Sequence, residues 1–280
     1  MAEDGLWAEG SLLDKADKAL SRPIFQLRLP EFAEVALAVP GAWMGLPFAF
    51  LGPTPLLLAW LSGKGGPWAG PVAGASWIVG LVAFAGGLAG WWGSSKSLKM
   101  SLVAMPLLAA ALLLAVEPAG RSVALTSFSC SCLAGLATLP PKRLFRRKRP
   151  IVALASQVTQ RRSVLLGKYM DTLLSENQRM ESHPSGDTAV MAANAVVLWA
   201  IVGGDTAFPV AVAATLTCGF GRMYFWAHHL LDVTVGGALG LAVALACLRL
   251  NFGSGWGSCA ISYVGFVVSA AIYLKSLKVK

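Results

Sequence analysis

Blocks of about twenty apolar residues, nearly free of charge, recur along this chain, and no other feature limits its fold so severely. In hydrocarbon, every backbone N–H and C=O must find its partner within the segment, so such blocks become helices rather than open strands. At 1.5 Å per residue, about twenty residues cover a bilayer core of roughly 30 Å. The 280 residues are 56% hydrophobic and only 13% charged, against about 25% charged in a soluble domain. Mean hydropathy is +0.63. The expected fold class is all-α, a polytopic transmembrane helix bundle of about eight spans.

The candidate spans are Glu34–Leu61, Pro67–Gly93, Leu98–Val116, Ser122–Pro140, Thr188–Gly204, Ala207–Ala227, Val233–Leu250 and Gly255–Leu274. Pro40, Pro47, Pro53 and Pro55 predict that the first is kinked or broken, because proline removes a helical N–H and crowds the preceding turn. Residues 1–33 read as an N-terminal cytoplasmic or interfacial leader, and 34–280 as the transmembrane domain. No basic start followed by an apolar core marks a signal peptide. Leu12 to Leu27 mixes charges with Leu, Ile and Phe, which suits either a helix along the membrane surface or a solvated leader.

Eight spans put both termini on one side. Of the 23 lysines and arginines, only Lys64, Arg121 and Arg249 then fall on the other. Positive charge is retained on the cytoplasmic side, or on the stromal or matrix side of an organelle. The formal charge of +9 is therefore read as topology, and no nucleic-acid partner is expected. None of the five cysteines has neighbours at zinc-ligand spacing. They read as buried thiols filling apolar space.

Three polar pieces sit at the inner ends of these spans. The first is Lys142-Arg-Leu-Phe-Arg-Arg-Lys-Arg149-Pro150. Lys142 and Arg149 are two helical turns apart, so a continuous helix would aim both one way, with Pro150 stopping it. Such a pair suits phosphate oxygens, Arg through its planar fork and Lys as a point charge. A basic run after a span also serves as a topology signal or an anionic-lipid contact. The second piece, Pro184-Ser185-Gly186-Asp187, opens an apolar helix whose free N–H groups make a phosphate seat. Ser185 or Asp187 would equally serve as the helix cap. The third runs from Arg222 to His228, His229 and Asp232. Four residues separate His228 from Asp232, one turn of helix, so the carboxylate can fix the imidazole tautomer and raise the nucleophilicity of the other nitrogen. His229 points about 100° away on that helix.

In order, K-x6-RP, PSG and R-x5-H-x3-D resemble the three-part signature of the type 2 phosphatidic acid phosphatase superfamily. It includes lipid phosphate phosphatases, polyprenyl diphosphate phosphatases and vanadium haloperoxidases. The resemblance covers about residues 95–250, a phosphatase-like core within the transmembrane domain.

The resemblance implies that His228 attacks phosphorus to form a phosphohistidine, oriented by Asp232. It implies that Lys142, Arg149, Ser185, Gly186 and Arg222 hold the phosphate, with no metal or other cofactor. The implied function is an integral-membrane lipid phosphatase acting on a polyprenyl diphosphate or phosphatidate class head group at the inner face. The expected partners are that substrate and the bilayer. A non-catalytic phospholipid binder or transport protein, and a lipid phosphotransferase, are the alternatives.

Two positions depart from the pattern. Gly221 stands where serine usually precedes the arginine, and Asp187 where the second motif usually ends in the histidine that protonates the leaving group. At a helix N-terminus amid cations, a carboxylate favours its ionised form and donates protons poorly. Either His183 or His229 supplies the proton, or water does, or the leaving group is itself a phosphate and needs none. The last case tilts the expectation towards a lipid diphosphate.

Overall fold

The structure is a computed structural model and describes residues 10–43, 53–88, 106–153 and 182–278. Pro47, Lys96, Lys99, the start of the third candidate span and most of the 141–186 loop lie outside the described residues.

In chain order, α1 is Leu12–Gln26 and α2 is Glu31–Ala38, which runs into a π-helical turn, Val39–Trp43. Next come α3 (Pro53–Leu61) and α4 (Ala69–Leu88), then α5 at 106–113. They are followed by α6 (Pro118–Phe145), the four-residue α7 (Pro150–Ala153), α8 (Gly186–Val202) and α9 (Gly204–Tyr224). The last two are α10 (Leu230–Arg249) and α11 (Trp256–Lys278). Helix is the regular secondary structure of the described residues, which contain no strand. Helix occupies part of every candidate span. Those starting at Pro118, Leu230 and Trp256 are long and apolar enough to cross a membrane, and Ala69–Val82 and Gly186–Val202 are shorter apolar helices.

In the described part of the first span, α2 runs into the π turn that holds Pro40, and Pro53 and Pro55 lie in the first turn of α3. Pro118 sits in the first turn of α6, where the missing N–H costs nothing. Two expectations at the first motif are corrected. The helix carrying Lys142 ends at Phe145, where Arg146 adopts the left-handed conformation (φ 45°, ψ 41°) and its N–H caps the Lys142 carbonyl at 3.1 Å. Pro150 begins α7 instead of stopping α6, so Lys142 and Arg149 approach the site from a helix and from a reversed loop.

The bundle core is α6, α8 and α10, with α11 against α6 and α3 and α4 alongside. Helices α8 and α10 touch almost backbone to backbone at Gly236 and Gly240. A Cβ on Gly236 would lie 2.3 Å from the Ser185 carbonyl oxygen, and one on Gly240 would lie 1.9 Å from that of Ala189. This is the small-xxx-small contact by which membrane helices gain close packing. It fixes the start of α8 beside the start of α10. Between α6 and α8, Ser127 donates to Asn194 Oδ1 at 2.6 Å, and Asn194 Nδ2 donates to Ser131 at 2.8 Å. All five cysteines are buried free thiols.

Residues 12–26 of the leader form α1, which has one buried face. Asp14, Asp17, Ser21 and Phe25 line the buried face of α1, which packs on α9 and α10 at the end where the three motifs lie.

Candidate active site

His228 lies in the turn between α9 and α10, after the fold has reversed at Arg222. The Arg222 carbonyl accepts from the N–H groups of both Ala227 and His228, at 3.0 and 3.3 Å. Trp226 takes φ 58° in this turn, an unfavourable conformation for a bulky L-residue. His228 is 1% exposed. Its Nδ1 lies 2.6 Å from the Ser182 carbonyl oxygen. A carbonyl only accepts, so Nδ1 carries the proton and, in the neutral ring, Nε2 keeps its lone pair.

The expected hydrogen bond from Asp232 to His228 is not formed, since Asp232 Oδ2 stands 4.0 Å from Nδ1. The reason is the helix boundary: α10 begins at Leu230 with His229 as its N-cap, so His228 is not on the same turn as Asp232. Asp232, fully buried, anchors the neighbouring chain. It accepts from the His229 N–H at 2.8 Å, from Arg147 Nη1 at 2.9 Å, from His183 Nδ1 at 3.1 Å and from the Ser182 hydroxyl. It therefore shapes the loop whose carbonyl holds His228.

Arg149, Arg222 and Lys142 all act on His228. Burial first, and then the charges of Arg149, Arg222 and Lys142, hold the His228 imidazole well below the usual histidine range, with Asp232 opposing. Arg149 is buried and donates to the Ala227 carbonyl at 3.3 Å. Lys142 Cε lies 4.0 Å from where a Cβ on Gly186 would stand, at the first residue of α8. Arg222 donates to the Gly41 carbonyl of the π turn at 3.2 Å and pairs with Asp187 at 2.8 Å. Its buried Nε has no partner among the described residues, a donor suited to an incoming oxyanion.

Ser185 is the N-cap of α8, accepting from the Thr188 N–H at 3.3 Å, and its own N–H donates to the Asp232 carbonyl at 2.9 Å. Of the two capping candidates, Ser185 is the one that caps α8. Asp187, in the first turn of α8, is engaged as an acceptor by Arg222. His183 lies edge-on to Phe145, with centroids 5.3 Å apart, and its Nδ1 is held by Asp232. His229 is fully buried, edge-on to Phe25, and its Nε2 lacks a partner among the described residues.

Several residues here carry no motif. Arg147 is 6% exposed, beside an exposed Arg146 and a half-buried Lys148. It bridges Asp232 to Asp17 at 2.6 Å and Asp14 at 3.3 Å. The Asp14-x-x-Asp17 spacing, one turn of α1, is the only sequence trace of that partnership. Asp17, His229 and Asp232 offer ligand atoms within 4.8 Å of one another. Arg147 Nη1 already lies between the two carboxylates, so a divalent ion would have to displace the guanidinium.

Gly221 also gains a reason. A Cβ there would lie 2.4 Å from the Gly41 Cα, so the usual serine has no room where the π turn crosses α9.

Comparison with curated proteins and with solved structures gives no match. Residues 120–256 match the PAP2 superfamily. That stretch contains Lys142, Arg149, Ser185, Gly186, Arg222, His228 and Asp232, and it is a domain of the PAP2, or type 2 phosphatidic acid phosphatase, superfamily.

Proposed function

We propose that the chain is an integral-membrane phosphatase that removes the phosphate or diphosphate head group of a lipid through a phosphohistidine on His228. The observation that carries this reading is the setting of His228: a buried imidazole whose Nδ1 is committed to the Ser182 carbonyl, lying within the electrostatic reach of Arg149, Arg222 and Lys142. A binding protein needs the cations but not a tautomer-fixed nucleophile.

In the proposed reaction the Nε2 lone pair attacks phosphorus while the bond to the leaving oxygen breaks. Lys142, Arg149, Arg222 and the N–H groups at the start of α8 hold the three equatorial oxygens, whose charge spreads in the transition state. Water then attacks the phosphohistidine, losing a proton, and Nε2 is released. Asp187 is bound to Arg222 as an acceptor, so its part is to orient that guanidinium. If the leaving group is an alkoxide, its proton must come from water, from His229 or from His183, whose Nδ1–H is committed to Asp232, so that its Nε2 would first have to take a proton up. A phosphate leaving group needs no such donor, and the proposed substrate class is accordingly a lipid diphosphate. The head group would be reached from the cytoplasmic, stromal or matrix side, where the cations gather.

The test is phosphate release in detergent from phosphatidate, lysophosphatidate, sphingoid-base phosphate and polyprenyl mono- and diphosphates, with His228→Ala as control. Release that depends on His228 and is fastest with a polyprenyl diphosphate supports the reading. Absence of release from every substrate would move the assignment to a phospholipid-binding protein. Asp187→His disturbs Arg222 for both substrate types, so the reading is the ratio: monoester hydrolysis should rise relative to diphosphate hydrolysis, and an unchanged ratio would remove the diphosphate argument.

A further inference from the structure

Helix α1 lies outside the stretch that matches the superfamily, yet it reaches the centre by three routes. Its Asp17 and Asp14 grip Arg147, at 2.6 and 3.3 Å. Its Ser21 hydroxyl accepts from the Leu230 N–H at 2.9 Å, and Asp17 Oδ1 accepts from the Leu231 N–H at 3.0 Å. These two bonds satisfy first-turn donors of α10 that the helix itself leaves open. Finally, Phe25 stacks on Trp226 with centroids 5.0 Å apart, covering the left-handed residue two positions before His228.

The first route continues to the nucleophile. Arg147 donates to Asp232 at 2.9 Å, and its own carbonyl accepts from the Ser182 N–H at 2.9 Å. The Ser182 hydroxyl donates to Asp232, and the Ser182 carbonyl accepts from His228 Nδ1. Every link is buried, and each bond in the chain has one donor and one acceptor. A bidentate guanidinium is the group that can bridge carboxylates from α1 and α10 at once.

We propose that α1 is a working part of the catalytic centre, with Asp17 and Arg147 as positioning residues that hold the tautomer and aim of His228 through Asp232 and Ser182. The inference rests on His228 being the nucleophile. Lysine at 147 keeps the charge but loses the fork, and asparagine at 17 keeps the shape but loses the charge. Both should displace the Ser182 carbonyl while leaving Lys142, Arg149 and Arg222 in place.

The experiment uses the full chain in detergent micelles, with dioleoylphosphatidate and farnesyl diphosphate as substrates and orthovanadate as a probe of the phosphate cradle. Arg147→Lys and Asp17→Asn should each lower kcat by roughly 10- to 100-fold, the scale of a misplaced reacting group. KM and the orthovanadate inhibition constant should stay within about threefold, as expected when uniform binding is untouched. Asp17→Glu should recover part of the loss. If His228→Ala keeps wild-type turnover, the nucleophile reading fails. If His228→Ala is inactive while both positioning variants keep kcat within about twofold, the role of α1 is overturned. Equal losses in kcat and in orthovanadate binding would also overturn it, since they indicate collapse of the cradle. Should either variant fail to fold, Asp14→Asn and Ser21→Ala test the outer members. A drop of roughly three- to tenfold in kcat at constant KM supports the proposal, and unchanged kcat in both rejects it.

Discussion

His228 sits among positive charges, and its proton affinity follows from that company. Burial and then Arg149, Arg222 and Lys142 depress its pKa, against the opposing charge of Asp232. The neutral, nucleophilic ring therefore persists below the ordinary histidine value, and the acid limb of kcat/KM for the free enzyme should lie below about pH 6.5. Replacing Arg149 with glutamine removes the largest of the three cationic effects and should move that limb upward, whatever it does to KM. A limb that stays put in a pH–rate profile would mean that it reports another group. Gly221 supports a second residue-scale prediction. Gly221→Ser would restore the residue common at this position, yet its Cβ would meet the Gly41 backbone at 2.4 Å. The variant should lose about 1–3 kcal/mol in denaturant or thermal unfolding in spite of serine's better helix propensity. The motif residues were legible because each chemistry demands a residue type at a spacing. Arg147 was not, because nothing in Arg146-Arg147-Lys148 says which cation turns inward. That choice is made by the left-handed Arg146, which ends α6, and by the acidic face of α1.

At the scale of elements, the two halves of the site meet because α8 and α10 meet. The Gly236-x-x-x-Gly240 spacing is visible in the sequence, but the partner helix is not; only the fold shows that Ser185 and Ala189 fill those gaps. Position 237, one residue along, is the internal control, since a Cβ there would find only Thr188 Cγ2 at 3.8 Å. Gly240→Ala should separate the helices, lowering both thermal stability and turnover. Gly237→Ala should be tolerated or stabilising by up to about 1 kcal/mol, the helix-interior difference between the two residues. Similar melting temperatures for the two variants would refute this packing. The same logic explains why His228 and Asp232 failed to form the predicted i, i+4 pair. Spacing predicts such a pair only when both residues lie within one helix. Here the N-cap at His229 leaves His228 outside α10, with the Ser182 carbonyl as its partner instead.

For the whole molecule, the direction of each helix follows from the ends it shares with its neighbours. Helices α6 and α9 run towards the site and α8 and α10 run away from it, so Lys142, Gly186, Arg222 and His228 share one end. At the other end the Gly65 carbonyl accepts from the Glu117 N–H, and that of Lys64 from the Gly120 N–H. Hydropathy located these helices well, because burial in lipid demands an apolar sequence whatever the tertiary contacts. It said little about α1, whose mixed composition conceals a buried acidic face. If the bundle spans a bilayer with its cations retained inside, opposite ends must differ in access. Lys64 and Arg146 are both exposed, at opposite ends, and the native cysteines are all buried. In sealed vesicles of defined orientation, a membrane-impermeant maleimide should label Lys64→Cys only from the outer face and Arg146→Cys only from the cytoplasmic, stromal or matrix face. Labelling of both from one side would show that α6 does not cross, and reversed labelling would place the phosphate site on the outer face.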